Sequence, residues 1–416
     1  MLSKRGQNSL DNPALMEYLM EHFARAGSEG YVPACIAESI LMEEELATRM
    51  ESVPAIPHSK LHYGPMIGDE DLREAILRLM EARGVYPAGT FGAGNVAVLA
   101  GVGTVLEMTF FGLADPGEAV LVPTPSYAGF WMDLCTRNEL SILPVHRDPP
   151  GEAVEDGFVL SVDALDAVWA QAEEDGVVVR ALLLCNPDNP LGSVYGAEEI
   201  KALLAWARGK GIHVVFDEIY ALSVFDASAG PFTSAAAVLG PEGLLGQDTH
   251  IMWGVSKDLG AGGLRCGALI TPNTDLIEAV NQISYWGASS RHTQWTLTNI
   301  LSDLEWMDTF LTTSHARLAE AYGTVTRALD AAGIPYVPAV SAIFLLIDLR
   351  AYLEEATFDS EHVLWSRLLN EVGINITPGS ELRSESPGWF RLCYAAFPSP
   401  QIADKISLIP TLLPSP

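Results

Sequence analysis

Lys257 and Arg265 lie near the two ends of a glycine-rich stretch past the middle of the chain. The stretch is Ser-Lys-Asp-Leu-Gly-Ala-Gly-Gly-Leu-Arg, residues 256–265. The apolar segment 250–255 precedes it and is predicted to be a buried strand. A lysine at the end of such a strand, followed by a flexible turn and an arginine, is typical of a Schiff-base lysine beside a phosphate-binding arginine. An isolated Ser-Lys pair is more often a solvated surface turn. The other motifs favour Lys257 as a carrier of pyridoxal phosphate.

An aspartate and an asparagine stand at the ends of two further predicted strands. Asp217 ends the apolar run 213–217, and Tyr220 follows it. A carboxylate there needs a cation, and a protonated pyridine nitrogen is one, although a helix N-cap is the alternative. Asn189 lies in the rigid turn Asn-Pro-Asp-Asn-Pro, which begins at Asn186. Its amide could donate to a phenolate oxygen of the same ring.

Three more segments offer contacts for a phosphate, a flat ring and a carboxylate. The N–H groups of Val102, Gly103 and Thr104 open a predicted helix and can bind a phosphate, although an ordinary tight turn has the same pattern. Tyr127, in a loop after a strand, could stack on a planar cofactor or simply pack in its loop. Arg391 stands among apolar neighbours, where its partner is a substrate carboxylate or an internal acid.

The elements that would position these residues alternate along the chain. Nearly continuous apolar strands separated by amphipathic helices predict an α/β fold with a mainly parallel sheet covered on both faces. The predicted strands are 96–100, 119–122, 177–184, 213–216, 251–255 and 268–271, and the predicted helices include 69–80, 105–113, 198–210 and 301–332.

The chain has 416 residues, which exceeds one ordinary core and predicts two domains. We expect an N-terminal arm with part of the small domain over 1–60, a large cofactor-binding domain over 61–295 and a smaller α+β domain over 296–416. The arm is predicted to contain a short helix, since Leu15, Tyr18, Leu19 and Phe23 have helical spacing.

Composition excludes several classes of function. The 24 basic residues against 53 acidic ones argue against nucleic acid and anionic membranes as partners. The five cysteines are scattered and never spaced as Cys-x-x-Cys, which predicts neither disulfides nor a metal site and fits a cytoplasmic protein. No apolar run reaches the roughly 18 residues that span a bilayer, so we expect neither export nor membrane insertion.

Together and in this order, the motifs resemble those of the aspartate-aminotransferase superfamily, fold type I enzymes that use pyridoxal phosphate. Within it the chain is most similar to 1-aminocyclopropane-1-carboxylate synthase and its relatives. The resemblance runs from about residue 10 to the C-terminus. The segments that carry it are 113–125, 186–192, 217–220, 256–260 and 387–391.

The resemblance implies a seven-stranded large-domain sheet and a role for each candidate residue. Lys257 would carry the cofactor and move the α-proton, Asp217 would pair with the ring nitrogen, and Tyr220 would bind the ring hydroxyl with Asn189. Tyr63 would reach the phosphate of a neighbouring subunit, which implies a homodimer with shared sites. The implied cofactor-binding residues are Tyr63, Val102, Gly103, Thr104, Tyr127, Asn189, Asp217, Tyr220, Ser256, Lys257 and Arg265, and the implied substrate-binding residues are Glu38, Tyr63, Asn189 and Arg391.

The chain departs from the synthase pattern around the substrate. Gly254 replaces the usual serine three residues before the lysine, and Trp131-Met132 replace a polar pair that includes an arginine. Tyr63 has the aminotransferase spacing. Arg291-His292 stand where the family has small polar residues, and we interpret them as an extra anion-binding pair.

Three functions follow as hypotheses. The first is synthase-like: a quinonoid forms at Cα, a Cγ leaving group departs, and cyclisation or trapping by a second small molecule follows, with S-adenosylmethionine as the leading substrate. The second is class I/II transamination between an amino acid and a 2-oxo acid. The third, a non-catalytic regulator that kept the fold, is disfavoured because Lys257, Asp217 and Arg391 are all retained.

Overall fold

The computed structural model describes residues 2–11, 16–151, 153–230 and 232–412. Its longer strands are mostly buried, as near-continuous apolar runs require. In chain order the strands are β1 (Val32–Pro33), β2 (Val96–Leu99), β3 (Ala119–Thr124), β4 (Ser141–His146), β5 (Val179–Cys185), β6 (His213–Asp217), β7 (Thr249–Gly254), β8 (Gly267–Ile270), β9 (Tyr336–Val337), β10 (Phe344–Asp348), β11 (Ile374–Asn375), β12 (Thr377–Pro378) and β13 (Trp389–Cys393).

Seven of these strands form the main sheet, in the order β2-β8-β7-β6-β5-β3-β4. β8 is antiparallel to both of its neighbours, and the other six strands run in one direction. The prediction of an α/β fold with a mainly parallel sheet is therefore confirmed. Because six strands share a direction, the loops that follow them meet at one edge of the sheet, called here the carboxyl edge.

Helices pack on both faces of the main sheet. Alternate residues of β2 enter different apolar cores, Ala97 and Leu99 on one face and Val96 and Val98 on the other. The helices are α1 (Lys4–Asp11), α2 (Glu17–Arg25), α3 (Glu43–Glu51), α4 (Glu70–Ala82), α5 (Val102–Leu113), α6 (Gly129–Cys135), α7 (Val162–Glu174), α8 (Ala197–Lys210), α9 (Ala235–Leu239), α10 (Val255–Asp258), α11 (Thr274–Ile283), α12 (Arg291–Leu301), α13 (Leu304–Ala332), α14 (Phe358–Arg367) and α15 (Ser399–Leu412).

A smaller antiparallel sheet, in the order β12-β13-β10-β9, forms from the C-terminal part of the chain. The N-terminal arm joins this part, because β1 pairs in parallel with β11. Helix α15 packs along α13 beside it. The expected domain boundaries after residues 60 and 295 stay predictions.

Two predicted elements differ from the structure. The edge strand β4 was not predicted, because its sequence Ser-Ile-Leu-Pro-Val-His contains Pro144, and proline in a strand is tolerated mainly at sheet edges. The predicted helix 301–332 begins later, at Leu304, because the Asp303 side chain caps α13 by accepting a hydrogen bond from the Trp306 N–H. The N-terminal helix prediction included Leu15, which lies outside the described residues.

Among the helices of the described ranges, none is both long enough and apolar enough to cross a membrane.

Candidate active site

A cavity of about 250 Å³ opens at the carboxyl edge, where β3, β5, β6 and β7 end. Each of these strands has at least one predicted site residue at its end or shortly after it in the cavity wall, so parallel pairing brings together residues that are distant in sequence. The wall consists of Glu38, Val102, Gly103, Leu106, Tyr127, Met132, Asp133, Cys185, Asn189, Asp217, Ile219, Tyr220, Ser256, Lys257, Gly262 and Arg265. Three predicted site residues, Tyr63, Thr104 and Arg391, are not part of this wall.

Lys257 lies in α10, directly after β7. Its Nζ donates a hydrogen bond to the carbonyl oxygen of Ala37 in the N-terminal arm, at 2.6 Å. Burial and the Arg391 guanidinium lower the pKa of Lys257 to about 8, while the Glu38 carboxylate opposes the change. A large fraction of the amine is therefore neutral, and nucleophilic, near pH 8.

Asp258 fixes the helix that carries Lys257, and sequence reasoning did not single it out. Its carboxylate accepts hydrogen bonds from Trp253 Nε1 at 2.8 Å, from the Leu222 N–H at 3.0 Å and from the Ser223 hydroxyl. These bonds join α10 to the turn that follows β6. Because Asp258 neighbours Lys257, the lysine is anchored to that turn.

Asp217 ends β6 with its carboxyl group in the cavity wall. Burial raises the pKa of Asp217 to about 7, although the Ile219 N–H donates to Oδ1 at 3.2 Å. Among the described residues, this N–H is the hydrogen-bond donor that contacts the carboxyl group. A cation in the cavity would therefore stabilise the charged form of Asp217. Tyr220, on the following turn, is almost fully buried and packs edge to face on Phe344, with ring centroids 5.3 Å apart.

Asn189 and Arg391 contact each other where the two sheets meet. Nη1 of Arg391 donates to Oδ1 of Asn189 at 3.1 Å, and Nη2 donates to the Cys35 carbonyl oxygen at 2.8 Å and to Thr377 Oγ1 at 3.2 Å. These partners are all neutral, so the internal acid required by the alternative reading is not among them. The Nε atom of Arg391 is buried without a hydrogen-bond partner in the described chain. A carboxylate could therefore replace the neutral oxygens around Arg391.

The first turn of α5 forms one end of the cavity. Val102 and Gly103 line the cavity, and the first N–H groups of a helix have no partner within it. An anion at this position would be stabilised by these groups and by the helix dipole. Thr104 lies behind the wall, and its hydroxyl donates to the Ala100 carbonyl oxygen at 3.2 Å.

Arg265 lies beside this helix end and adds a cation to it. Its backbone is left-handed, with φ of 48°, and its Nη1 donates to the Gly262 carbonyl oxygen at 3.2 Å. The residue before α5, Gly101, has φ of 94°, and a Cβ there would lie 2.5 Å from Nη2 of Arg265. Glycine at 101 thus lets the guanidinium approach the helix end.

Tyr127, Ser256 and Glu38 complete the predicted part of the wall. The ring of Tyr127 meets Phe130 edge to face, with centroids 5.2 Å apart, which holds the tyrosine ring in place. Ser256 precedes Lys257 in α10 and is buried. Glu38 comes from the N-terminal arm, and its side chain is exposed. It gives the cavity a carboxylate opposite the lysine.

Tyr63 lies outside the cavity, on a loop between α3 and α4. It is 94% exposed and lines a separate cleft with Arg291 and His292. The interpretation of Arg291 as an anion-binding residue needs correction, because its guanidinium pairs with Asp69 at 2.9 Å and donates to the His62 carbonyl oxygen at 3.0 Å. Arg291 therefore holds the loop that carries Tyr63.

Asp133 is a wall residue that sequence reasoning missed. It lies on α6, and a Cβ on Gly103 would stand 3.0 Å from its Oδ1, which places the carboxyl group against the first turn of α5. Burial raises the pKa of Asp133 to about 7, and the charge of Arg265 opposes this. The sequence signal that could have identified Asp133 is its closeness to Tyr127, six residues before it in the same segment. The anion-binding end of the cavity thus contains an acid that is partly protonated at neutral pH.

Gly254, at the position where the family resemblance implies a serine, has no room for a side chain. A Cβ there would lie 2.8 Å from Val102 Cγ2 and 2.9 Å from the Cys266 carbonyl oxygen. Close packing of β7, β8 and α5 therefore leaves space for glycine but not for a side chain at this position. Without a serine hydroxyl there, the donors that the wall offers to a phosphate are the helix N–H groups, Arg265 and Ser256.

The wall residues fit pyridoxal phosphate. The α5 end and Arg265 match a phosphate, the under-bonded Asp217 carboxyl group matches a ring nitrogen, and the buried Lys257 amine matches an aldehyde. Tyr127 supplies an aromatic face in the same wall. No other part of the described chain unites these four features in one cavity.

Comparison with known proteins agrees with this fit. Residues 46–407 match the family model of aminotransferase class I and II. A 1-aminocyclopropane-1-carboxylate synthase of Vigna radiata var. radiata is 37% identical over 331 residues, which cover 79% of this chain and 88% of that protein. Synthase 1 of Prunus mume is 37% identical over 329 residues, or 79% of this chain, and synthase 6 of Arabidopsis thaliana is 36% identical. The matched region spans 65% of the length of these two relatives.

Solved structures with low sequence identity share the fold. Aspartate aminotransferase of Thermus thermophilus with maleate superposes with a TM-score of 0.80 at 21% identity, covering 99% of this chain and all of that one. Aromatic aminotransferase of Pyrococcus horikoshii OT3 gives 0.75 at 19% identity, over 95% and 98% of the two chains. The chain belongs to the aminotransferase class I and II family and is a fold type I enzyme that uses pyridoxal phosphate.

Proposed function

We propose that the enzyme removes a leaving group from Cγ of an amino acid, with S-adenosylmethionine as the leading substrate. The observation that carries this proposal is the 37% identity to 1-aminocyclopropane-1-carboxylate synthases in a chain whose Lys257 and Asp217 line one cavity, with Arg391 in contact with Asn189 of the same wall. Cyclisation of the remaining fragment, or its capture by a second small molecule, would follow.

The residues that would hold the cofactor are those of the wall. Val102, Gly103 and Arg265 would bind its phosphate, Asp217 its ring nitrogen, and Asn189 its ring oxygen together with Tyr220. When bound, the cofactor supplies a ring that withdraws electrons from the substrate α-carbon. Asn189 is suited to its part, because its Oδ1 already accepts from Arg391 and its amide nitrogen remains able to donate.

Lys257 is the base for the α-proton. Its pKa of about 8 means that about half of the amines are neutral at pH 8, whereas an ordinary lysine would be almost fully charged. Arg391 orients the substrate by its α-carboxylate, which can pair with the guanidinium in place of neutral oxygens. Holding the Cα–H bond beside a neutral amine supplies proximity for the transfer.

The bonds that change can be stated for S-adenosylmethionine. The Cα–H bond breaks and its proton passes to Lys257. The Cγ–S bond breaks and its electron pair leaves on sulfur, which becomes neutral methylthioadenosine. A new Cα–Cγ bond would close a three-membered ring, or a second molecule would take the fragment. The Glu38 carboxylate in the wall favours a substrate with a sulfonium charge.

Mass spectrometry of products tests this function. Purified, cofactor-loaded enzyme is incubated with S-adenosylmethionine, with and without a panel of small electrophiles and 2-oxo acids. We expect methylthioadenosine together with a four-carbon amino acid or its adduct. Lys257→Ala should abolish release, and Lys201→Ala, which removes a surface lysine paired with Glu242, should not. Equal release by wild type and Lys257→Ala would contradict the proposal.

Transamination is the second candidate, favoured by the aminotransferase-like spacing of Tyr63. It predicts that an amino acid converts the bound cofactor to its amine form, which is seen as a change in absorbance, and that a 2-oxo acid reverses the change. Amino exchange without methylthioadenosine release would make this the function.

We also propose a homodimer in which Tyr63 of one subunit reaches the phosphate site of its partner. Its 94% exposure, outside its own cavity, supports this arrangement. Light scattering tests the oligomeric state. Mixing Tyr63→Phe with Lys257→Ala subunits should restore activity, because one site of each mixed dimer then has both native residues.

A further inference from the structure

A buried ion pair lies at the carboxyl edge, outside the cavity wall. Arg147 follows β4, and its Nη2 donates to the carboxylate of Asp188 in the loop after β5. The same guanidinium donates to the Tyr195 hydroxyl at 2.8 Å and to the Pro125 carbonyl oxygen at 2.8 Å. The two charged side chains are only 4% and 3% exposed.

The segments joined by Arg147 are those that carry two residues of the cavity wall. Pro125 lies two positions before Tyr127, and Asp188 directly precedes Asn189. The backbone N–H of Arg147 also donates to the Thr124 carbonyl oxygen, at 3.1 Å. One arginine therefore ties together the ends of three adjacent strands, β4, β3 and β5.

Asp188 fixes the loop on its own side of the pair. Its Oδ1 accepts from the Leu191 N–H at 3.3 Å, and its backbone N–H donates to the Ser193 carbonyl oxygen at 2.8 Å. The Gly192 N–H donates to the Asp188 carbonyl oxygen at 2.9 Å. The loop is thus internally rigid, and the bond to Arg147 sets where it lies relative to the sheet.

Stability alone does not explain such a pair. Burying two charges requires desolvation that their attraction only partly offsets, and apolar residues of the same volume often stabilise as well or better. A hydrogen-bonded pair with fixed geometry differs from apolar packing in specifying one arrangement of the groups it joins. The groups joined here lead to Tyr127 and Asn189.

We propose that Arg147 and Asp188 are positioning residues that hold Asn189 and Tyr127 at the cofactor. The inference rests on the proposed function in one respect, since the roles of these two wall residues belong to that proposal. It does not depend on which reaction follows. Loosening the pair should change how the bound cofactor is held before it changes the fold.

The test is a pH titration of the absorbance of the cofactor-loaded enzyme. A hydrogen bond from Asn189 to the ring oxygen sets the midpoint, so Asn189→Ala provides the reference shift. Asp188→Asn keeps the shape of the side chain but removes the counter-charge of Arg147. We expect its midpoint to move by about half a pH unit or more in the reference direction. In the double variant Asn189→Ala/Asp188→Asn it should move no further than in Asn189→Ala, because the midpoint reports the bond from Asn189 to the ring oxygen, which that variant already lacks.

Asp248→Asn is the matched control. It breaks the Arg208–Asp248 pair, whose bonds measure 2.6 and 2.8 Å and which lies before β7, at the opposite edge of the sheet. Urea unfolding should register its loss, while the titration midpoint stays unchanged. Arg147→Lys, which keeps the charge and loses the planar fork, replaces Asp188→Asn if that variant does not fold.

Each outcome bears on the inference. An unchanged midpoint in Asp188→Asn beside a shifted one in Asn189→Ala overturns it, and additive shifts in the double variant do the same. If Asn189→Ala does not shift the midpoint, Asn189 does not bind the ring oxygen, and the inference is refuted as well. Because the titration needs no turnover, a failure to release methylthioadenosine refutes only the proposed reaction.

Discussion

Gly101→Ala would test how the phosphate end of the cavity is built. Gly101 precedes α5 with φ of 94° and ψ of 162°, a region almost reserved for glycine. A Cβ at this position would lie 2.5 Å from Nη2 and 2.8 Å from Cζ of Arg265. Since the backbone cannot move away without disturbing the first turn of α5, the guanidinium must leave its position.

Two effects of different size follow. The backbone conformation costs an alanine about 1–3 kcal/mol of folding free energy. In the proposed site Arg265 binds the phosphate, so displacing it would remove a charged hydrogen bond, and such bonds contribute about 1.5–3 kcal/mol. Because Arg265 is exposed, we take a value in the lower half of the range for a charged hydrogen bond, about 2 kcal/mol. That energy corresponds to an increase of about 30-fold in the dissociation constant of pyridoxal phosphate.

The assay is a fluorescence titration of the cofactor-free enzyme with pyridoxal phosphate, paired with urea unfolding. Gly89→Ala is the control, since Gly89 also has positive φ, 75°, but a Cβ there would meet nothing within 4 Å. It should lose stability and keep its affinity. Arg265→Ala should lose as much affinity as Gly101→Ala. If Gly101→Ala binds the cofactor within about threefold of wild type, the contact between Gly101 and Arg265 does not govern phosphate binding.

Two pH effects are also expected. Asp133, whose pKa burial raises to about 7, becomes charged beside the phosphate end as the pH rises. This charge should weaken phosphate binding, so the ratio of the cofactor dissociation constant of wild type to that of Asp133→Asn should increase between about pH 6 and 8.5 in parallel titrations. Burial lowers the pKa of His250 from 6.5 to about 3, so the unfolded chain binds a proton that the folded one does not. The contribution of His250 to stability should thus fall below pH 6.5 by about 1.4 kcal/mol per pH unit, and urea unfolding at several pH values should show that loss as a difference in slope between wild type and His250→Asn.

Local sequence predicted the main sheet because each central strand is a nearly continuous apolar run. β5 and β6 bury nearly every residue between two helical layers, and such strands differ sharply from the polar turns around them. β4 lies at the sheet edge, is only partly buried and contains a proline, so its pattern is weak. The break between α12 and α13 depends on one side chain, Asp303, whose capping bond an apolar repeat does not reveal.

The cavity residues could be predicted where each directly follows a parallel strand. Lys257, Asp217 and Asn189 share an edge whatever the order of the strands. Asp133 and the Arg147–Asp188 pair could not be found in this way, because their contacts depend on that order. Arg147 follows β4 and Asp188 follows β5. The two side chains meet because both strands pair with β3, one on each side of it. Strand order follows from the packing of the whole sheet rather than from any one segment.

The distribution of charge around the cavity also discriminates between amino acids. Arg265 and the α5 end suit one anion, and Arg391, in contact with Asn189, suits another. In the wall as the structure describes it, Lys257 and Arg265 are the cationic side chains, and the proposed function uses both to hold the cofactor. In the wall of this one subunit, a second carboxylate on the substrate would therefore meet no spare cation, and Glu38 adds a negative charge to the wall. An amino acid with a cationic group at Cγ meets an attractive charge at that position. The charges of this wall thus support the proposed sulfonium substrate over aspartate or glutamate as amino donors.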